Sequence, residues 1–176
     1  MKITFRSLLP FFSIAVATAS GVFLISSLHA VNAEAPTYSG IDREMPSGDS
    51  AEQQAVLAPI TQLFDGMAKR DAAAMKKPLL SGGTMVLMRD GKPSQMTFED
   101  FADRVGKPGT TSIQERIHDP LVRIDNDLAV VWAPFEFLVD GKVDHCGTDL
   151  FTVVRMDGQW VIASVADTGR NDCVRR

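Results

Sequence analysis

Apolar residues follow two different spacings along the chain, and the switch between them separates a helical part from a strand part. Val56, Ile60, Leu63, Phe64 and Met67 fall at offsets 0, 4, 7, 8 and 11, which is one face of a helix. Ser50 opens that helix, with Gln53 three residues on as in a capping box. Pro59 conflicts with the pattern: it either kinks the helix or belongs to the first turn of one that starts later. Asp71 caps a short second helix over Ala72 to Lys76, which Pro78 ends. Thr84 to Arg89 reads as a strand closed by the turn pair Asp90-Gly91. Thr97 caps a further helix over Phe98 to Val105, with Asp100 at N3 and Met96 and Phe101 placed as a hydrophobic staple. The segment Gly106-Lys107-Pro108-Gly109 breaks it.

From Thr111 onward Val, Ile, Phe, Trp and Thr dominate, punctuated by Asp125-Asn126-Asp127, Asp140-Gly141 and Asp157-Gly158. These are hairpin signals. They predict strands over 111–118, 128–139, 142–155 and 159–168, with continuation of the first past Asp119-Pro120 to Ile124 left open. Helices first and a long antiparallel meander last is an α+β layout in which one sheet face packs on the helices.

The N-terminus adds a compartment. Lys2 and Arg6 precede an apolar run from Leu8 to Leu28, no acidic residue occurs before Glu34, and Val31-Asn32-Ala33 supplies small residues for cleavage. Residues 1–33 therefore read as a secretory signal, with a periplasmic or secreted product. The alternative is an uncleaved anchor, since the run is nearly long enough to span a bilayer, although Pro10, Ser13, Thr18, Ser20 and Gly21 dilute it. Residues 34–49, rich in Pro, Gly, Ser and charge, form a flexible leader, and residues 50–176 form one domain. Loss of residues 1–33 removes two basic side chains and moves the net charge from −4 to −6. With no basic cluster beyond pairs, nucleic acid is not an expected partner. In an oxidising compartment Cys146 and Cys173 pair by default. The competing role, a thiol nucleophile, needs a base on the same face.

If Asp140-Gly141 and Asp157-Gly158 are two-residue loops, counting outward from each gives the facing rows. One face collects Leu128, Val153 and Ile162, then Val130, Phe151 and Ser164, then Trp132, Asp149 and Ala166, then Glu136 and His145, with Trp160 beside Arg155. The other holds Ala129, Val131, Phe135, Cys146, Leu150 and Val165. The first has the larger side chains and is assigned to the helices. Polarity rises along it toward Asp149, Glu136 and His145, so a pocket mouth is expected there. Trp132, Phe151 and Trp160, with Ser164 on the same floor, would hold a planar or apolar small molecule that His145, Glu136 and Asp149 orient. One extra residue in either turn would flip a whole strand.

His145, Glu136 and Asp149 have the groups of an acid/base site. The competing reading is a solvated Glu136–His145 salt bridge, with Asp149 satisfied by backbone or by the Trp132 indole. Neighbouring residues on a strand point to opposite faces, so His145 and Cys146 do not serve one ion or one proton transfer. His118 reads as a surface or capping residue. Gly82-Gly83 lacks the Lys-Ser/Thr of a phosphate loop, and no HExxH, GxSxG or zinc-spaced cysteine pair occurs, so neither cofactor nor metal is expected.

Two segments carry a resemblance. LFDGMAKRDAAAM at 63–75 and DLAVVWAPFEFLVDGKVDHCGTDLFTVVRMDGQWVIASVADT at 127–168 are similar to the putative lumazine-binding group of the nuclear transport factor 2-like (SnoaL-like) superfamily. The likeness runs over about residues 50–168. It implies a cone: a curved antiparallel sheet wrapped around N-terminal helices, with an inner cavity and frequent dimerisation through the sheet's outer face, here the row Val131, Leu150 and Val165. The superfamily mixes isomerases, cyclases and epoxide hydrolases with members that do no chemistry, so the fold leaves activity open. The leading expectation is an exported small-molecule-binding domain. Its rivals are an acid/base enzyme of isomerase or hydrolase type, with His145 or Asp149 as base, and a non-catalytic dimeric interaction protein.

Overall fold

The computed structural model describes residues 50–173; the signal segment, its cleavage point and the leader lie outside the described residues. Helix α1 (Ser50–Ala68) and helix α2 (Ala72–Lys76) precede strands β1 (Leu79–Arg89) and β2 (Lys92–Thr97), and helix α3 (Phe98–Val105) follows. Strands β3 (Ile113–Ile117), β4 (Leu121–Asp125), β5 (Leu128–Val139), β6 (Lys142–Met156) and β7 (Gln159–Arg170) complete the domain. No helix among the described residues is long and apolar enough to cross a membrane.

The helices form where the periodicity and caps place them. Val56, Ile60, Leu63 and Met67 are buried along one face of α1, which continues through Pro59. Asp71 accepts from the Ala74 N–H at 2.9 Å to start α2, and Thr97 accepts from the Asp100 N–H at 3.0 Å to start α3. Arg70, in the left-handed region at φ 51°, donates to the carbonyls of Val105 and Thr111 at 3.2 and 3.0 Å. That clamp fastens the α1–α2 corner to the end of α3.

All seven strands form one curved, unclosed sheet in the order β2-β1-β7-β6-β5-β3, with β4 also on β5. It is mixed, because β1 runs parallel to β7. The expected meander is antiparallel, but the pairing of the first strand with the last is non-local and no hairpin signal encodes it. Strand β2, KPSQMT, is almost wholly exposed and lacks apolar alternation; only its pairing to β1 makes it a strand. Its Pro93 is tolerated at a sheet edge. On the other edge β3 and β4 share β5, separated by Asp119 at φ 42°.

The hairpin turns are the expected ones, with positive φ at Asp140-Gly141 and Asp157-Gly158. The register near each turn is also as expected, Val139 facing Lys142 and Met156 facing Gln159. Each hairpin then gains one residue. Asp144 is extra in β6, so Phe137 faces His145, and Ala163 is extra in β7, so Thr152 faces Ser164. Beyond each bulge the partner strand presents its other side. Val131, Phe135 and Val165, assigned above to the outer face, are therefore buried on the inner one. Trp132, Glu136 and Ser164, assigned to the inner face, are on the outer one, opposite Leu150, Cys146 and Thr152.

The core is the inner sheet face packed on α1 and α3, with Ile60, Phe98, Phe151, Val153 and Ile162 each nearly inaccessible. Cys146 and Cys173 are joined, tying the chain beyond β7 back to β6, with their Cα atoms 5.7 Å apart. Beside that bond, Gly147 lets two strands approach closely: a Cβ there would lie 1.6 Å from the Thr168 carbonyl oxygen and 2.8 Å from the Phe135 ring. Backbone cannot step aside as a flexible side chain can. Gly147→Ala is expected to lower the stability by about 3 kcal/mol, read as a fall in the urea midpoint at an unchanged slope. An unchanged midpoint would mean that the strands relax without cost.

Candidate functional site

Between the inner face of the sheet and helices α1 and α3 lies a cavity of about 170 Å³. Leu63, Phe64 and Met67 of α1 and Phe101 and Val105 of α3 form one wall. Met85, Leu87, Phe135, Phe137, Phe151 and Val165 form the apolar part of the other, with the Phe64 ring edge-on to Phe151 at 6.2 Å. Five polar side chains enter this otherwise apolar space: Arg89 from β1, Glu115 from β3, His145 and Asp149 from β6, and Asp167 from β7.

Their arrangement follows from the register. Asp149 faces Ala133 on one side and Asp167 on the other, and Arg89 faces Gly169. A Cβ on Gly169 would meet the Arg89 guanidinium at 2.6 Å, so the missing side chain is what lets Arg89 lie across the strands. Arg89 reaches Asp167 with both terminal nitrogens, at 2.6 and 2.7 Å. That two-pronged bond, opposed by partial burial, raises its proton affinity and keeps it charged.

Asp149 has no such partner. It is 2% exposed, and its Oδ2 is buried without a hydrogen bond. Burial pushes its proton affinity far above the carboxylate range, and the charge of Glu115 and a hydrogen bond to it push the same way. Glu115 is raised too, chiefly by burial. Two interacting carboxyls in one largely apolar space do not both ionise, so at neutral pH they hold a proton between them, with Asp149 as donor and Glu115 as acceptor. His145 sits at the mouth, stacked on Phe137 at 4.8 Å, its Nδ1 2.9 Å from Asp144. The bulge that makes Asp144 an extra residue is what brings these chain neighbours side by side. Nδ1–H is given to Asp144, whose carboxylate accepts it.

His145, Asp149 and Phe151 thus come together in the cavity as the sequence suggests. Trp132, Glu136 and Ser164 do not: Trp132 is 52% exposed, and Glu136 lies 3.4 Å from His118 on the far face of the sheet. Trp160 is in the core away from the cavity, beneath the Arg155 guanidinium at 4.5 Å, which also pairs with Glu52 of α1. Sequence reasoning missed Arg89, Glu115, Asp167 and Phe137. A signal existed for the three charged ones: each continues an apolar alternation, Met85-Leu87-Arg89, Ile113-Glu115-Ile117 and Val165-Asp167. Among the described residues no three His, Cys, Asp or Glu side chains are arranged to hold a metal ion.

The raised carboxyls make stability depend on pH in a defined direction. The folded chain keeps a proton that the unfolded chain releases, so stability is full at acid pH and falls as pH rises from the ordinary carboxylate range through neutrality. Asp149→Asn, neutral at every pH, is expected to lose less stability than the wild type between about pH 5 and about pH 8. Urea midpoints of both proteins at the two pH values test this. Equal losses would show that the pair holds no extra proton.

Solved structures of similar shape include a nuclear transport factor 2-like protein from Cytophaga hutchinsonii, 17% identical, with TM-score 0.58 over 68% of this chain and 98% of that one. One of unknown function from Silicibacter pomeroyi is 20% identical, with TM-score 0.54 over 70% of this chain and all of that one. A cystatin-like-fold protein of unknown function from Nostoc punctiforme is 8% identical, with TM-score 0.58 over 70% and 95%. At such identities the likeness is one of fold. No curated protein matches the chain in sequence. The family model described as "Putative lumazine-binding" matches residues 51–166, which span α1 and nearly all of the sheet. With that match over all of the cavity lining but Asp167, the chain belongs to the putative lumazine-binding family and has the nuclear transport factor 2-like fold.

Proposed function

We propose that this is an exported domain that binds a small organic molecule in the cavity between α1, α3 and the inner sheet face. The observation that carries the reading is Asp149: a buried carboxyl with an unpartnered oxygen, facing an apolar space large enough for a ligand. Leaving a buried polar group unsatisfied costs about 1–3 kcal/mol, a cost that a ligand's polar atom would remove. The volume is comparable with the ~150 Å³ that takes up a benzene ring in an engineered apolar site, so the buried part of the ligand is about one ring. The disulfide supports an oxidising compartment, and the family's description supports small-molecule binding.

Native mass spectrometry of the protein recovered from its own compartment tests the reading. A stoichiometric extra mass that disappears under denaturing conditions is expected. An apo mass, together with no rise in Tm at millimolar benzyl alcohol, would overturn it, since a ligand at about ten times its Kd stabilises by about 1.4 kcal/mol. The shared proton of Glu115 and Asp149 favours a second reading on the same site, general acid–base turnover with Asp149 as acid and Glu115 as base. On that reading Asp149→Asn retains the recovered molecule but no longer converts it.

For assembly we propose a homodimer through the outer sheet face. Leu121, Trp132 and Leu150 lie side by side there across β4, β5 and β6 and are 49%, 52% and 38% exposed. Neighbouring exposed apolar side chains of this size mark contact surfaces. Trp132→Asp is expected to convert a dimer to a folded monomer in analytical ultracentrifugation. A wild type already monomeric, or a variant still dimeric, would count against this face. Val131→Asp is no substitute, because Val131 is wholly buried and the change would unfold the domain.

A further inference from the structure

The polar end of the cavity is unbalanced between hydrogen-bond donors and acceptors. The charged or titratable groups around Asp149 are Arg89 on β1, Glu115 on β3, His145 on β6 and Asp167 on β7, while α1, α3 and β5 contribute only apolar side chains. Arg89 is largely committed: both terminal nitrogens bond Asp167, and one also donates to the Met88 carbonyl at 2.9 Å. His145 gives its Nδ1 to Asp144. Most of what remains facing the cavity is carboxyl oxygen, including the buried and unpartnered Oδ2 of Asp149. With Arg89 cancelled by Asp167, even a proton shared by Glu115 and Asp149 leaves one negative charge in the space.

We propose that the cavity selects a small primary amine in its ammonium form, carried on an apolar body of about one ring, with the ammonium seated between Glu115 and Asp149. This rests on the cavity-binding reading above and names its ligand class. An ammonium brings three donors and no acceptor, the complement of what the site offers. A carbonyl has only the shared proton to receive, and a carboxylate meets like charge. The Phe137 ring, which faces Glu115 across β3 and β5, adds an aromatic face near the cation. The seated ammonium balances the one negative charge of the pair, which keeps its shared proton, so no charge is left unpaired.

Isothermal titration of the purified protein near neutral pH with benzylamine, benzyl alcohol and benzoate tests the class with three probes of nearly one shape. Benzylamine is expected to bind about tenfold or more tighter than benzyl alcohol, as a charge-assisted hydrogen bond implies, with benzoate weakest. Repetition in two buffers of different ionisation enthalpy should show no net proton exchange with the amine, and Glu115→Gln should remove the preference. Benzyl alcohol or benzoate binding as tightly as the amine, net proton release on amine binding, or a preference that survives in a folded Glu115→Gln would each overturn the amine class while leaving the cavity-binding reading intact. Binding by none of the three would overturn both. Should Glu115→Gln fail to fold, the three-probe comparison on the wild type decides alone.

Discussion

A strand changes which side its residues present only by gaining or losing one residue against its neighbour, and β6 and β7 each gain one. Asp144 and Ala163 are those residues. Between them they turn Phe135 and Phe137 toward the helices and put Asp167 beside Asp149. Without the first bulge the large outer Trp132 would have to fit the space now opposite Asp149, where Ala133 stands. Small residues, Ala133 and Gly169, face Asp149 and Arg89, and the missing side chain of Gly169 leaves room for the Arg89 guanidinium.

The fold accommodates its buried charges in two different ways. Arg89 and Asp167 satisfy one another through paired bonds, an arrangement whose attraction is strong only because its geometry is right. Asp149 and Glu115 avoid the cost of a buried charge by retaining a proton. The first pair is a fixed piece of the wall. The second is reactive toward anything that donates hydrogen bonds or takes the proton, and such groups cost stability unless something uses them.

The same cone recurs in proteins that share less than a quarter of their residues with this one. That tolerance has a simple origin, since the fold needs apolar side chains of roughly the right size on one sheet face and one helix face. Which polar residues enter the cavity is a separate matter, decided by a few positions in the alternation. The family match therefore fixes the shape of the site, and Arg89, Glu115, Asp149 and Asp167 fix its chemistry.

Local interactions made the helices, their caps and the hairpin turns legible from the sequence, because each depends on residues within four positions of one another: Asp71 with Ala74, Thr97 with Asp100, Asp157 with Gly158. The α+β class and the cavity residues His145, Asp149 and Phe151 were legible for a related reason, since alternation along β6 itself needs no partner. The parallel pairing of β1 with β7 and the strand character of β2 depended on segments distant in the chain. The bulges were invisible too: Asp144 and Ala163 are ordinary residues in ordinary alternation, and only packing of the facing strands shows that one more residue fits than the turn predicts. Glu115 was hidden by its type, as a carboxylate among isoleucines reads as solvent-facing until the tertiary structure half-buries it beside Asp149 and supplies the proton that makes that place tolerable.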